Sequence, residues 1–598
     1  MRRFAVGLLL VTCFVSTPRA QDALTRDQRN ADLTQLASQY AKNYGPYEWK
    51  RDVMDFDLLR LNPWLHRIAH SDDLDFQEAL IEYVASLNDA HDLIAFPTTF
   101  SASLPLTIDI YDGKVLIDSI NRIRLPQAQF PFVVGDEVIS VDGRPVQAII
   151  ESFRKYAIAA NQRSTDRTAA SRIVSRSQQI MPHAFQIDDT ATVAIKLAAT
   201  GATSLFTIPW TKNGIPLLSQ GPVPSPVKGN GPISLATQGQ NITAGLPGGD
   251  AASATIFKVA ERGPSDDSLP DYMEPIRPLL NASVSTDYYS ILGFGARNPI
   301  FALPAGFIDL NAPCPTCIVR AGEPLFYFFA TFTTAAGTRV GFVRIPSMSP
   351  PSAAIALAQL DRAMAVFGSS TDALIVDVMR NPGGSVAFVE AVAQRLIPTS
   401  FHTIGFEIRA TGAWLFSFAA QLSNARLNPT TPPAVLANLE ANYNAVLEAF
   451  NQNRGRTGPI SLNSTGSLQL EPVPGAYARP LMVLTDEFSA SGGDMFPALI
   501  QSNRRGPIFG WRTMGAGGSV VNFSGPAFTE SIFRITVSLM NRLEVITTPD
   551  FPPAPYVENI GVRPDIPFDY MTRANLLTAG APFVQAFIQA IDNLAHPH

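Results

Sequence analysis

The spacing of apolar side chains changes several times along the chain. Between residues 24 and 95 they recur at helical intervals, at Leu33, Leu36, Ala37 and Tyr40 and again at Ala79, Leu80, Tyr83, Val84 and Leu87. This predicts a helical N-terminal region over 24–100. From about residue 104 the period shortens to that of strands. "LPLTIDIYDGKVLIDSI" is two runs around Asp112-Gly113, a hairpin signal, and "VVGDEVISVDGRPVQAIIESF" is a strand between Gly135-Asp136 and Asp142-Gly143 with a helix from Val146. "TATVAIKLAATGATSLFTIPW" adds two more strands, so 101–212 reads as a small β-rich domain with a helical insertion.

Residues 213–335 are rich in Gly, Pro, Ser and Asn and predict an irregular insertion or linker. From 336 strands and helices alternate. "RVGFVRIPSM" is a strand, 352–367 a helix with Ile355, Leu357, Leu360 and Ala363 inward, "ALIVDVM" a buried strand, "NPGG" a turn and 386–396 a helix. Such alternation indicates an α/β layer. It extends to about 575 and is interrupted over 410–470, where 434–450 is helical; 576–598 form a C-terminal helix and tail.

Composition narrows the compartment and the partners. With 46% hydrophobic and 16% charged residues the chain is globular, and at 598 residues it needs several domains. The start, "MRRFAVGLLLVTCFVSTPRAQDA", has two arginines, an apolar run from Phe4 to Val15 and then small residues. The run is too short to span a bilayer and fits a signal peptide over 1–20, which predicts a secreted, periplasmic or otherwise extracytoplasmic protein. Removing it takes away Arg2, Arg3 and Arg19 and no acid, so the net charge of -6 becomes more negative. No basic block remains to track a phosphate backbone, and nucleic acid is excluded as a partner. No later apolar stretch is long enough for a stable membrane span. Of the cysteines only Cys314 and Cys317, in "APCPTCIV", survive processing; prolines at 313 and 315 argue against a redox motif, and a small loop disulfide is expected.

The candidate chemistry lies in "LTDEFSASGGDMFPALI", residues 484–500, where a buried strand passes through a tight turn into a helix. One of Ser489 and Ser491 could be a nucleophile, with the Gly492 N–H at the helix start as an oxyanion donor. "DVMRNPGGSV" is a second glycine-rich strand-to-helix turn, whose Gly383 or Gly384 could supply the other donor. Such glycines also occur for backbone geometry alone.

Five segments in order, "VGFVRIPSM", "IVDVMRNPGG", "VLTDEFSASGGDMF", "PIFGWRTMGAGG" and "ENIGVRPDI", resemble peptidase family S41, the C-terminal processing and tricorn-like serine proteases. "VGDEVISVDGRPV" resembles part of a PDZ domain, which that family often carries. The resemblance implies a multidomain α/β protein with a helical N-terminal region, a PDZ-like domain and a crotonase/ClpP-like α/β catalytic layer. It puts the nucleophile on Ser491, the second serine of S-A-S, and an acidic residue on Asp494. Processing proteases pair the serine with a lysine in T-x-G-K, whereas here "TMGAGG" has Ala516 at that place. The branch that includes the chlamydial secreted protease uses histidine and glutamate instead. "VASLNDAHDLIAF" resembles its L-x-D-x-H motif and implies His91 as base; "YVENIGVRPDI" resembles E-x-x-G-V-x-P-D and implies Glu558 as the orienting carboxylate.

The function implied is an exported serine endopeptidase acting on protein or peptide substrates through Ser491, His91 and Glu558, with oxyanion donors from Gly492 and Gly383 or Gly384 and with neither metal nor cofactor. Homo-oligomerisation stays open. The alternatives are a catalytically inactive peptide-binding or scaffold protein on the same fold, and an esterase or amidase, against which the absence of a G-x-S-x-G elbow at Ser491 argues. A histidine near an ionised Glu558 is expected to titrate above its usual value, so that activity rises through near-neutral pH.

Overall fold

The computed structural model describes residues 23–157, 159–218 and 293–596. The expected signal peptide and residues 219–292 of the expected insertion lie outside the described residues.

Four helices, Arg26–Asn43, Tyr47–Met54, Asn62–Ile68 and Asp73–Ala85, form the N-terminal region. Thr25 and Gln28 close a capping box on the first helix, and Asp72 caps the fourth through the Asp75 N–H. Their inward residues Leu36, Tyr40, Phe76 and Val84 are buried in one core with Phe533 and Ile535 of the catalytic region. The helical region is therefore packed as part of the catalytic body. The strand Leu93–Ala95 makes the join explicit by pairing antiparallel with Ile532–Thr536.

The β-rich region is a six-stranded antiparallel sheet. Its path runs Leu106–Tyr111, Lys114–Ile120, Glu137–Val141, Thr190–Lys196 and Thr203–Pro209, with Arg144–Pro145 folded back onto Glu137–Val141. Asp112-Gly113 turns the first hairpin with both residues at positive φ, 50° and 74°, the twist such a two-residue turn requires. Helix Gln162–Val174 packs on this sheet and also reaches the catalytic layer. Arg167 donates to both oxygens of Asp109 at 2.9 and 2.6 Å and lies 2.9 Å from Glu487; Ser164 donates to the Glu487 carbonyl at 2.6 Å.

The catalytic layer is a seven-stranded sheet ordered Ile308–Asp309, Phe328–Thr333, Arg339–Arg344, Ala373–Asp377, Leu481–Thr485, Ile508–Gly510 and Ile566–Pro567. The first pairs are antiparallel and those from Arg339–Arg344 onward parallel. Two of these strands fall within 213–335, read from composition as irregular. Phe328–Thr333 carries buried Phe328, Phe329 and Phe332, so the layer starts before residue 336. The 410–470 interruption is a helical hairpin, Gly412–Leu427 and Pro433–Asn451; the first helix was not expected. Cys314 and Cys317 form a disulfide. Among the described residues no helix is long and apolar enough to cross a membrane.

Candidate active site

Ala373–Asp377 and Leu481–Thr485 are adjacent parallel strands, with Asp377 beside Leu484, so their C-terminal ends release the two glycine-rich turns side by side. This is the edge of an open parallel sheet where ligand sites form. The contact between the turns is close. A Cβ on Gly383 would stand 2.5 Å from the Ser491 Cβ, and one on Gly492 would stand 3.1 Å from the Gly384 nitrogen.

The two serines are separated by their hydrogen bonds. The Ser489 hydroxyl donates to the Val378 carbonyl at 2.8 Å and accepts the Asp486 N–H at 3.1 Å, tying the second turn to the first. The Ser491 hydroxyl donates to no group among the described residues. Ser491 sits at φ 56°, ψ -112°, a conformation that costs a non-glycine residue about 1–3 kcal/mol. Asp494 offsets part of that cost by accepting the Ser491 N–H at 2.7 Å, and it also accepts Gly515 at 2.8 Å and Ala516 at 3.0 Å. Burial pushes its carboxyl up to about 7 against these donors and Thr513.

Of the expected oxyanion donors, the N–H groups of Gly492 and Gly384 have no acceptor among the described residues. Gly383 does not qualify. Its N–H is given to the Asn381 side chain at 2.8 Å, while its carbonyl accepts from Met348 at 2.7 Å. Its φ of 96° and its contact with Ser491 make it a spacer that lets the turns approach.

His91 follows the helix Asp73–Ala85 and is wholly buried, not the exposed cap that its position after a helix suggests. Asp89 accepts the His91 N–H at 2.9 Å and the Tyr44 hydroxyl at 2.9 Å; Asp92 accepts Thr536 N–H at 2.8 Å and anchors the loop from the other side. Among the described residues neither ring nitrogen of His91 has a hydrogen-bond partner. Glu558 is equally buried. Its Oε1 accepts the Lys50 ammonium at 2.5 Å and its Oε2 the Gly517 N–H at 2.8 Å.

The "TMGAGG" segment thus bridges the two halves of the site: Gly515 and Ala516 donate to Asp494 below Ser491, and Gly517 donates to Glu558. Ala516 is fully buried at the place where the resemblance would put lysine. Asp377 pairs with Arg344 at 2.9 Å and supports the strand end.

One atom each of Asp89, His91 and Glu558 lies within 4.8 Å of the others, among the described residues the one such group that could share a metal ion. Lys50 on Glu558 and the two donors on Asp89 already supply its counter-charge and hydrogen bonds. Electrostatics reverse one expectation. Burial lowers the His91 imidazole to about 4, with Arg534 and Lys50 adding to it and Asp89 opposing. Loss of hydration outweighs the pull of the Asp89 carboxylate. Burial pushes the Glu558 carboxyl up to about 8, with Asp89 adding to it and Lys50 and the Gly517 N–H opposing.

Lys50 and Asn559 were missed from sequence. Lys50 lies in "YEWKRDV" with nothing around it to mark a buried cation. Asn559 stands inside the quoted "ENIGVRPDI" but next to the residue that drew attention.

Residues 339–568 match the model of peptidase family S41, and residues 100–211 match a PDZ domain model. A protein of Chlamydia trachomatis serovar D is 26% identical over 95% of this chain and 93% of its own length. A Chlamydia pneumoniae protein is 26% identical over 94% and 90%. Among solved structures, mature CPAF shares the fold with a TM-score of 0.69 at 22% identity, covering 95% of this chain and 98% of that one. Mature CPAF complexed with lactacystin gives 0.68 at 20%, covering 96% and 99%.

Proposed function

We propose that this chain, a serine-type peptidase whose residues 339–568 belong to peptidase family S41, cuts peptide bonds with Ser491 as nucleophile, His91 as base and Glu558 as the orienting carboxylate. The observation that carries the reading is the Ser491 turn. A strained residue whose hydroxyl donates to no group among the described residues sits beside two N–H groups, of Gly492 and Gly384, that have no acceptor among them either. The hydroxyl attacks the scissile carbonyl as its proton passes to a neutral His91 ring nitrogen. The resulting oxyanion is held by the two N–H groups, and the imidazolium by Glu558. The proton then moves to the departing amine, and water releases the acyl group by the same route.

The His91 ring nitrogens have no partner among the described residues, so in this reading its bonds to Ser491 and Glu558 form as substrate engages, as catalytic hydrogen bonds often tighten only in the substrate complex. The N-terminal pattern of Arg2, Arg3 and the Phe4–Val15 run supports export before this activity is used. The PDZ domain, bonded through Arg167 and Ser164 to Glu487 in the nucleophile turn, is suited to positioning an extended peptide.

The test is labelling by a fluorophosphonate probe together with hydrolysis of fluorescent casein. The mature protein is expected to do both and Ser491→Ala neither. A folded protein inert in both assays would instead be a peptide-binding scaffold.

A further inference from the structure

Lys50 projects from the N-terminal helix Tyr47–Met54 into the catalytic body, and its side chain is wholly buried. Three acceptors surround the ammonium: Glu558 Oε1 at 2.5 Å, Asn559 Oδ1 at 2.6 Å and the Asn88 carbonyl at 2.9 Å. These match its three donors one for one. They also lie on the two loops that carry His91 and Glu558. Asn559 reinforces the same junction, donating to the Asn88 carbonyl at 2.9 Å and to the Ala160 carbonyl at 3.2 Å. A buried ammonium costs several kcal/mol unless it is paired and fully bonded, so a cation here has to be explained by what it holds.

We propose that Lys50 is a positioning residue for peptide hydrolysis, fixing Glu558 and the His91 loop in one arrangement and supplying the counter-charge that lets Glu558 act as a carboxylate. This rests on the reading of Glu558 as the group that orients His91. The charged and titratable groups around Glu558 are Asp89, Asp92, His91, Tyr44 and Lys50, while Arg534 acts on His91. Asp89 raises the Glu558 carboxyl and Lys50 lowers it, as does the Gly517 N–H. Without the lysine, burial and Asp89 would keep Glu558 protonated further into the alkaline range. A protonated Glu558 could not stabilise the imidazolium.

The experiment compares Lys50→Met, Lys50→Arg and Glu558→Gln, singly and with Lys50→Met and Glu558→Gln combined, in the full chain. The readouts are the fluorophosphonate labelling rate from pH 6 to 10, casein hydrolysis and a melting curve. An opposite charge in contact moves a carboxyl by 1–3 pH units, so Lys50→Met should slow labelling at pH 7 by roughly 10- to 1,000-fold and shift the rising limb alkaline by about 1–3 pH units. Lys50→Arg should restore most of the rate and the limb, and Lys50→Met should cost nothing further in the Glu558→Gln background. A rate loss without a shifted limb, or an equal loss in the Glu558→Gln background, overturns the proposal and leaves Lys50 as packing. Should Lys50→Met not fold, Lys50→Gln keeps an amide donor, removes the charge and must give the same shift. If Glu558→Gln alone labels at the wild-type rate, the triad reading itself fails; if it is slow while Lys50→Met leaves the limb in place, only the role of Lys50 fails.

Discussion

The turn that carries Ser491 and the pocket that carries His91 are built on opposite terms. Around Ser491 nearly every polar group is committed: Ser489 to Val378, Asp494 to three N–H groups, the Gly383 N–H to Asn381. Among the described residues, what remains without an acceptor is the Ser491 O–H and the N–H groups of Gly492 and Gly384. Around His91 the backbone and the carboxylates are bonded while the ring has no partner among the described residues. Ser491 is fixed in advance because φ 56° has to be enforced by its neighbours. The His91 ring has no such anchor among the described residues, and burial favours its neutral form.

Substitutions at Ser491, His91 and Glu558 should remove catalysis without removing the fold, and they have the largest expected effect. Ser491→Ala and His91→Ala should each lower casein turnover by roughly 10⁶-fold with melting temperatures close to wild type, and Glu558→Gln by roughly 10⁴-fold. A His91→Ala protein that still labels with fluorophosphonate at the wild-type rate would erase the distinction between the two regions.

Gly384→Ala tests a donor that is also a spacer. Its φ is 140° and a Cβ there meets the Met348 backbone at 2.3 Å. A rate loss of up to roughly 10²–10³-fold is expected, because the Cβ forces the turn to shift and moves the retained N–H away from the oxyanion, accompanied by a lower melting temperature. A change in stability alone would leave Gly492 as the working donor.

The pH profile discriminates between the two regions from another direction. His91 is neutral above about 4, so its protonation does not limit turnover near neutrality. Glu558 becomes a carboxylate only as pH rises through about 8, so turnover should climb there and the climb should vanish in Glu558→Gln. A limb near 6.5 that survives Glu558→Gln would return control to the histidine.

The smallest catalytic effects belong to the committed groups that support the Ser491 turn. Ser489→Ala removes two buried hydrogen bonds and should cost about 1–3 kcal/mol of stability, read by denaturant titration, while turnover per labelled site changes only a few-fold. Ala516→Lys should give no gain in turnover and a less stable protein, since residue 516 is fully buried and its N–H is already held by Asp494. A faster enzyme would mean that a serine–lysine pair can operate on this scaffold.

Local pattern determined the helices at 26–43 and 73–85, the Asp112-Gly113 hairpin, the buried strands at 373–377 and 481–485 and the turns that follow them, because period and turn chemistry act over a few residues. The ordered motifs also singled out Ser491, His91 and Glu558 and, through Ala516, excluded a lysine partner. The strand at 328–333 was hidden because its short apolar run lies in a Gly- and Pro-rich setting, and only pairing with Arg339–Arg344 makes it a strand. Tertiary structure alone decided which of Gly383 and Gly384 keeps a free N–H, since that depends on where Asn381 points. It alone buried His91 and brought Lys50 to Glu558 across 508 positions of sequence. A pKa, a spare donor and a buried counter-charge are properties of what surrounds a group in space, and those surroundings come from segments far apart in the chain.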